Sequence, residues 1–387
     1  MDYNKLIPER ISSMQPSGIR RFFDIAQSVK GVISLSIGEP DFKTPWEARK
    51  EAINILERGK TAYTANSGLM ELRKAVSGYL KGFIRTEYHP ENEIIITVGG
   101  SEAIDLAVRA LIEDGDEVLV PEPSFVCYAP IVKMMGGVPI PIVTKAEDKF
   151  RLTPQALKEK ITPRTKLLFL PYPNNPTGAV MRKSDLQAIA DVLRDTNIIV
   201  ASDEIYAEMT YNGEKHVSFA EIDGMKERTL VISGFSKTYA MTGWRLGYVA
   251  GPEPIIKQML KLHQYCIMSS PTVSQYAAIA AIQRCRADVE HMLSEYDMRR
   301  RLCVKNFNDM GLECFEPEGA FYVFPCIKST GMSSEEFCQK LVYEQKVAVV
   351  PGNAFGESGE GFVRVSYAYS VAHLESAFAR IREFIKK

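Results

Sequence analysis

No Cys-x-x-Cys pair, no apolar run near the roughly 18 residues of a membrane helix and no excess of either charge occur in this 387-residue chain. The seven cysteines (127, 266, 285, 303, 314, 326 and 338) are odd in number and irregularly spaced, which argues against a disulfide framework and a zinc site. The five histidines are scattered without a pair at ligand spacing, so no metal is expected. Lys plus Arg number 47 and Asp plus Glu 48, a net charge of −1, which argues against binding of nucleic acid or a membrane surface through bulk charge. The opening Met-Asp-Tyr-Asn-Lys-Leu-Ile-Pro-Glu-Arg lacks the apolar stretch of a signal peptide, so a cytoplasmic protein is expected.

What is present is ordinary globular usage: 45% hydrophobic, 25% charged, 26 Gly and 21 Pro. At about 150 residues per domain the length suggests two or three domains. From about residue 90, short β-rich runs alternate with helical patterns. Glu93–Val98, Glu117–Val120, Lys166–Leu170, Ile198–Ser202, Thr229–Ser233 and Leu246–Ala250 read as strands. Ser101–Ile112, Pro154–Glu159 and Lys183–Leu193 read as helices. Such alternation predicts an α/β domain with a mainly parallel sheet. After about residue 285 the character changes: helices Asp288–Met310, Ser334–Glu344 and Ala372–Ile385 alternate with strands within 319–324, 347–350 and 361–366, an α+β unit. Residues 1–45 form no complete fold alone and are expected to pack with that unit. The division is thus an arm (1–45), a large domain (46–285) and a small domain (286–387), with a cleft between the two domains.

Four motifs fall at successive strand ends, where open α/β sheets place their ligands. Ser233-Gly-Phe-Ser-Lys237 is not a phosphate-binding P-loop, because Ser236 rather than Gly precedes the lysine. Ser202-Asp203-Glu204-Ile205-Tyr206 offers a carboxylate at another strand end, and Pro173-Asn174-Asn175-Pro176-Thr177-Gly178 a turn at a third. Gly99-Gly100-Ser101 opens a helix, whose free backbone N–H groups and positive dipole end suit an anion. Singly each has a bland reading as a turn, a cap or an exposed loop lysine. Their convergence on one sheet edge does not.

Together these motifs resemble the class I aminotransferases, fold-type-I enzymes that use pyridoxal 5′-phosphate (PLP); the match runs from about Gly38 to Arg364. The resemblance implies a large domain with a mainly parallel seven-stranded sheet and a smaller α+β domain. It also implies roles. Lys237 holds the cofactor as a Schiff base and moves the substrate Cα proton, a task that a desolvated, cation-flanked site favours by lowering its pKa. Asp203 partners the ring nitrogen; Asn175 and Tyr206 donate to the ring's phenolic oxygen. The Gly100-Ser101-Glu102 backbone, Ser236 and Arg245 take the phosphate. Phe125 stacks on the ring, and Tyr63 resembles the tyrosine that reaches the phosphate of a neighbouring subunit, which implies a homodimer with shared active sites. Arg364 would fork the substrate α-carboxylate, which also meets Gly38 and Asn175.

Two departures bear on specificity. One subgroup of bacterial aspartate aminotransferases has a lysine in the Gly-Gly-x-x-Ala segment, here Gly99-Gly100-Ser101-Glu102-Ala103. The other classical solution is a partner arginine in the stretch matching Gln264–Pro271, which contains none. Arg20 and Arg21 remain as substitutes for a dicarboxylate. An aromatic or neutral L-amino donor is expected at least as much as aspartate, with 2-oxoglutarate the usual acceptor in a ping-pong cycle. The alternative is a PLP-dependent carbon–sulfur β-lyase of the same fold. A third reading, a regulator on this fold, calls for an extra DNA-binding domain, and only 37 residues precede Gly38.

Overall fold

The computed structural model describes residues 1, 3–14, 16, 18–19, 22, 28–213 and 215–386. After a short strand β1 (Ile33–Ser34), seven strands build one sheet: β2 (Ile94–Thr97), β3 (Glu117–Glu122), β4 (Val138–Val143), β5 (Thr165–Leu170), β6 (Ile199–Asp203), β7 (Thr229–Gly234) and β8 (Gly247–Ala250). Their order is β2-β8-β7-β6-β5-β3-β4. All neighbours run parallel except β8, which is antiparallel to both β2 and β7. The central strands are apolar throughout because both faces are covered. Leu167, Phe169, Ala201, Leu230 and Ile232 face the helix Gly99–Leu111, in one cluster with its Ala103, Ile104, Ala107 and Val108. Leu168, Leu170 and Val200, one residue out of phase, join Leu186, Ile189 and Leu193 of the helix Lys183–Leu193 on the other face.

Strand β4 escapes a propensity reading, because Val138-Pro-Ile-Pro-Ile-Val143 carries two prolines. Its place explains them. β4 is the sheet edge, bonded to β3 alone. The amides of Val138 and Thr144 donate inward, to the carbonyls of Asp116 (2.8 Å) and Glu122 (2.7 Å). Alternate residues therefore point outward, and Pro139 and Pro141 fall at those positions, where no donor is needed and pairing with a further strand is blocked.

Beyond the sheet, helix Arg286–Asp309 leads to β9 (Tyr322–Val323), helix Ser334–Gln345, β10 (Val347–Ala348), β11 (Val350–Pro351), β12 (Val363–Ser366) and helix Val371–Ile385. The three-stranded order is β11-β12-β9, and β10 pairs in parallel with β1. These strands are shorter than the β-rich runs around them, 319–324 yielding only two strand residues. The segment following β1 is tied to the same unit: Ser366 N donates to Leu35 O (2.9 Å), and Arg299 on the long helix grips Asp41 at 2.8 Å. The seven cysteines are all free, and among the described residues no helix is long and apolar enough to cross a membrane.

One close approach governs the sheet's functional edge. A β-carbon on Gly247 would lie 2.6 Å from the carbonyl carbon of Gly99 and 2.7 Å from the amide nitrogen of Gly100. Only glycine in β8 lets the helix Gly99–Leu111 start this close to the sheet. Gly247→Ala is expected to destabilise the chain by about 1–3 kcal/mol through overpacking. An unchanged urea midpoint in the apoprotein would show that the helix start yields freely.

Candidate active site

Each polar residue of the site sits at the end of a buried element. β7 runs into Phe235, Ser236 and Lys237, and β6 ends on Asp203. The loop after β5 is knotted by Asn174, whose Oδ1 accepts from Thr177 N (3.1 Å) and Thr177 Oγ1 (2.8 Å), an Asx-type turn that leaves Asn175 facing the cleft. β12 carries Arg364, antiparallel to β11.

The Lys237 ammonium donates to the Gly38 carbonyl at 2.6 Å. Burial lowers its pKa to about 8; Arg364 and Arg245 push the same way, while Glu39 and Asp203 oppose them. Two residues before Gly38, the Ser36 carbonyl accepts from Arg364 Nη2 at 2.5 Å, and Asn175 Oδ1 accepts from Nη1 at 2.9 Å. Arg364 stacks between the rings of Tyr322 (4.6 Å) and Phe355 (4.9 Å), and its Nε is buried without a partner among the described residues. Asp203 is buried and accepts from Tyr128 hydroxyl (2.7 Å) and Ile205 amide (3.3 Å). Burial raises its pKa, with the Tyr128 bond opposing. Tyr206 and Tyr322 share a hydrogen bond of 2.8 Å between hydroxyls, and a side chain at Gly38 would overlap the Tyr322 hydroxyl.

At the helix start, Gly99 has a positive φ of 75°, and a β-carbon there would sit 2.8 Å from Arg245 Nη2. Arg245 itself adopts the left-handed region (φ 50°), a conformation that costs energy, and its guanidinium lies beside Gly99. Ser236 is buried next to Lys237, Ser101 is exposed, and the Glu102 side chain turns away to His263. Phe125 meets Tyr128 edge-on at 6.0 Å. Lys237, Gly38, Asn175, Arg364, Asp203 and Tyr206 are thus brought together, with Arg245 and the helix start beside them. Tyr63 is not part of this group within the chain; it lies 82% exposed. Arg20 and Arg21 fall outside the described residues.

Sequence reasoning missed several groups. Tyr322 was hidden in an aromatic strand signal. Tyr128 gave no sign that its hydroxyl would reach Asp203. Glu204 is buried and satisfied by Ser202 (2.8 Å), Ser218 (2.6 Å) and His216 (2.8 Å), a network spread over 17 residues of chain.

The chain matches the model of the family "Aminotransferase class I and II" over residues 30–381. It is 45% identical over 383 residues to aromatic-amino-acid aminotransferase 2 of Thermococcus litoralis, covering 98% of each chain. It is 47% identical over 381 residues to an aspartate aminotransferase of Pyrococcus abyssi, again with 98% of each covered. The solved aromatic aminotransferase of Pyrococcus horikoshii superposes with a TM-score of 0.91 at 46% identity, covering 94% of this chain and 98% of that one. The chain therefore belongs to the class I and II aminotransferases. It is a PLP-dependent transaminase of fold type I that moves an amino group from an amino acid to a 2-oxo acid. None of these relatives bears on the β-lyase alternative.

At pH 7 a pKa near 8 leaves about one-tenth of Lys237 neutral, roughly two hundred times the neutral fraction of an ordinary lysine. Labelling of Lys237 in the apoprotein by an amine-reactive reagent, read by peptide mass spectrometry, is expected to rise with pH to a half-maximum near 8. A midpoint above 10 would refute the desolvated amine.

Proposed function

We propose that the amine-and-guanidinium pair flanking residues 36–38 is the catalytic centre of the transaminase. The observation that carries this reading is the spacing: Lys237 meets Gly38 O and Arg364 meets Ser36 O, so both groups stand within reach of one α-amino acid. The donor set fits PLP. A primary amine, a buried carboxylate, a hydroxyl pair and an open helix N-terminus beside an arginine lie along one sheet edge. When bound, PLP supplies an aldehyde for the amine and a ring that draws electrons from the substrate Cα.

In this reading Lys237 would hold the cofactor and, when free and neutral, would take and return the Cα proton. Asp203, oriented by Tyr128, would keep the ring nitrogen protonated. Asn175 and Tyr206 would donate to the phenolic oxygen, and Phe125 would stack on the ring. The first-turn amides from Gly100 to Glu102, Ser236 and Arg245 would hold the phosphate. Arg364, oriented by Asn175, would take the α-carboxylate as a bidentate fork. Residues 1–45, 46–285 and 286–387 act as arm, large domain and small domain.

The amino donor is read as aromatic or neutral at least as readily as acidic. No lysine stands in residues 99–103 and no arginine in 264–271. A homodimer is supported by exposed Tyr63, Ile267 and Met268 on adjoining loops and Tyr265 at the end of the helix before them, where Asn66 bonds Met268 O and Thr272 bonds Ala62 O. An open groove of about 530 Å³ reaches from Pro271 to Arg245. Seven unpaired cysteines support a reducing compartment, the cytoplasm.

Mixing PLP-loaded enzyme with one amino acid and no acceptor is expected to yield one equivalent of its 2-oxo acid per site, fastest with aromatic donors. Pyruvate and ammonia from cystathionine instead would make it a lyase. Lys237→Ala is expected to abolish the yield, and retained turnover would remove Lys237 from its role. Arg364→Lys, which loses the fork, is expected to lower kcat/KM for every donor by about 10–100-fold; a loss confined to one donor class would contradict α-carboxylate binding.

A further inference from the structure

His263 lies on the helix Glu253–Cys266 and is fully buried. Its Nδ1 stands 2.6 Å from Glu102 Oε1, while its Nε2 is buried with no partner among the described residues. A carboxylate accepts only, so Nδ1 carries a proton and donates. A histidine buried at that cost is tied to the fold's polar groups by a single contact.

The contact it makes is on a carboxylate with two options. Glu102 is in the first turn of the helix Gly99–Leu111, where free N–H groups and the helix dipole attract any anion. Its second oxygen instead accepts from the amide of Val98, the residue before the helix. That return bond resembles half of a capping box and turns the carboxylate back along the chain. Without a donor on Oε1, the side chain is free to swing onto the first-turn amides, where it would compete with, and repel, a phosphate. Arg245, packed against Gly99, would be drawn to it as well.

We propose that His263 is a positioning residue for the cofactor phosphate: it pins Glu102 to the Val98 amide, so that the first turn and Arg245 remain open to the phosphate. This rests on the assignment of that helix start as the phosphate site. The consequence is specific to the phosphate and leaves recognition of the pyridine ring untouched.

The test titrates apoenzyme with PLP and, separately, with pyridoxal, which lacks the phosphate, following absorbance. Asparagine places its amide nitrogen close to the position of Nδ1; glutamine places its nitrogen nearer Nε2. His263→Gln is expected to raise the Kd for PLP about tenfold, the worth of one charge-assisted hydrogen bond, and that for pyridoxal less than about twofold. His263→Asn should restore the wild-type PLP-to-pyridoxal ratio, as should Glu102→Ala added to His263→Gln, because the stray carboxylate is gone. Equal weakening of both ligands, or an asparagine variant as poor as glutamine, would overturn the proposal. Should His263→Gln fail to fold, His263→Leu, which also removes the donor to Glu102, decides: a selective loss of PLP supports the proposal, and an unchanged ratio overturns it. Wild-type enzyme that binds no PLP would instead refute the cofactor-site reading, and binding without transamination would refute only the catalytic one.

Discussion

The burial of charge at the carboxyl edge of the sheet constrains everything around it. Arg364 and Asp203 are buried and Lys237 is partly buried within one cleft, and each charge would be costly there alone. The chain offsets the penalty by giving each a fixed polar partner: Gly38 O for the lysine, Ser36 O and Asn175 for the arginine, Tyr128 and the Ile205 amide for the aspartate. Two of those partners belong to the segment after β1, which has no core of its own. The segment's course is dictated by β10, β12 and Arg299 of the small unit. A site on one sheet edge thus depends on a segment held by strands more than 300 residues further along the chain than itself.

The same edge accounts for conformations that would be liabilities elsewhere. Arg245 and Gly99 both take positive φ, and Gly247 gives up its side chain, so that an arginine and a helix start meet beside the end of β7. None of these choices helps the apolar core. They are paid for by the strands beneath, buried on both faces, which hold the edge rigid.

Much of this was legible from one sequence because the signals were local. Apolar runs of four to six residues ending in Asp203, in Gly234 or before Asn174 announce both strand and site. The helix Lys183–Leu193 follows directly from its periodicity. Pro139 and Pro141 hid β4, since the rule that prolines avoid strands does not know which side of a strand faces solvent. Tyr322, Tyr128 and His263 stayed hidden for another reason. Each acts on a residue far along the chain, Tyr322 on Tyr206, Tyr128 on Asp203, His263 on Glu102, and nothing in the local pattern of an aromatic or helical residue names its partner. The strand expected within 319–324 shrank to β9, and the single run 347–350 split into β10 and β11, which pair in different sheets.

The carbonyl of Ser36 has a kinetic meaning on the proposed reading. It occupies the donor of Arg364 that an amino acid's carboxylate would claim. Capture of a carboxylate there would be an exchange of one oxygen acceptor for another, with little net change in the number of hydrogen bonds. Such a trade would keep the guanidinium compensated, limit how tightly any one substrate is held, and give the departing oxo acid a ready replacement. A cleft arranged in this way is suited to two different substrates that must alternate in the same seat.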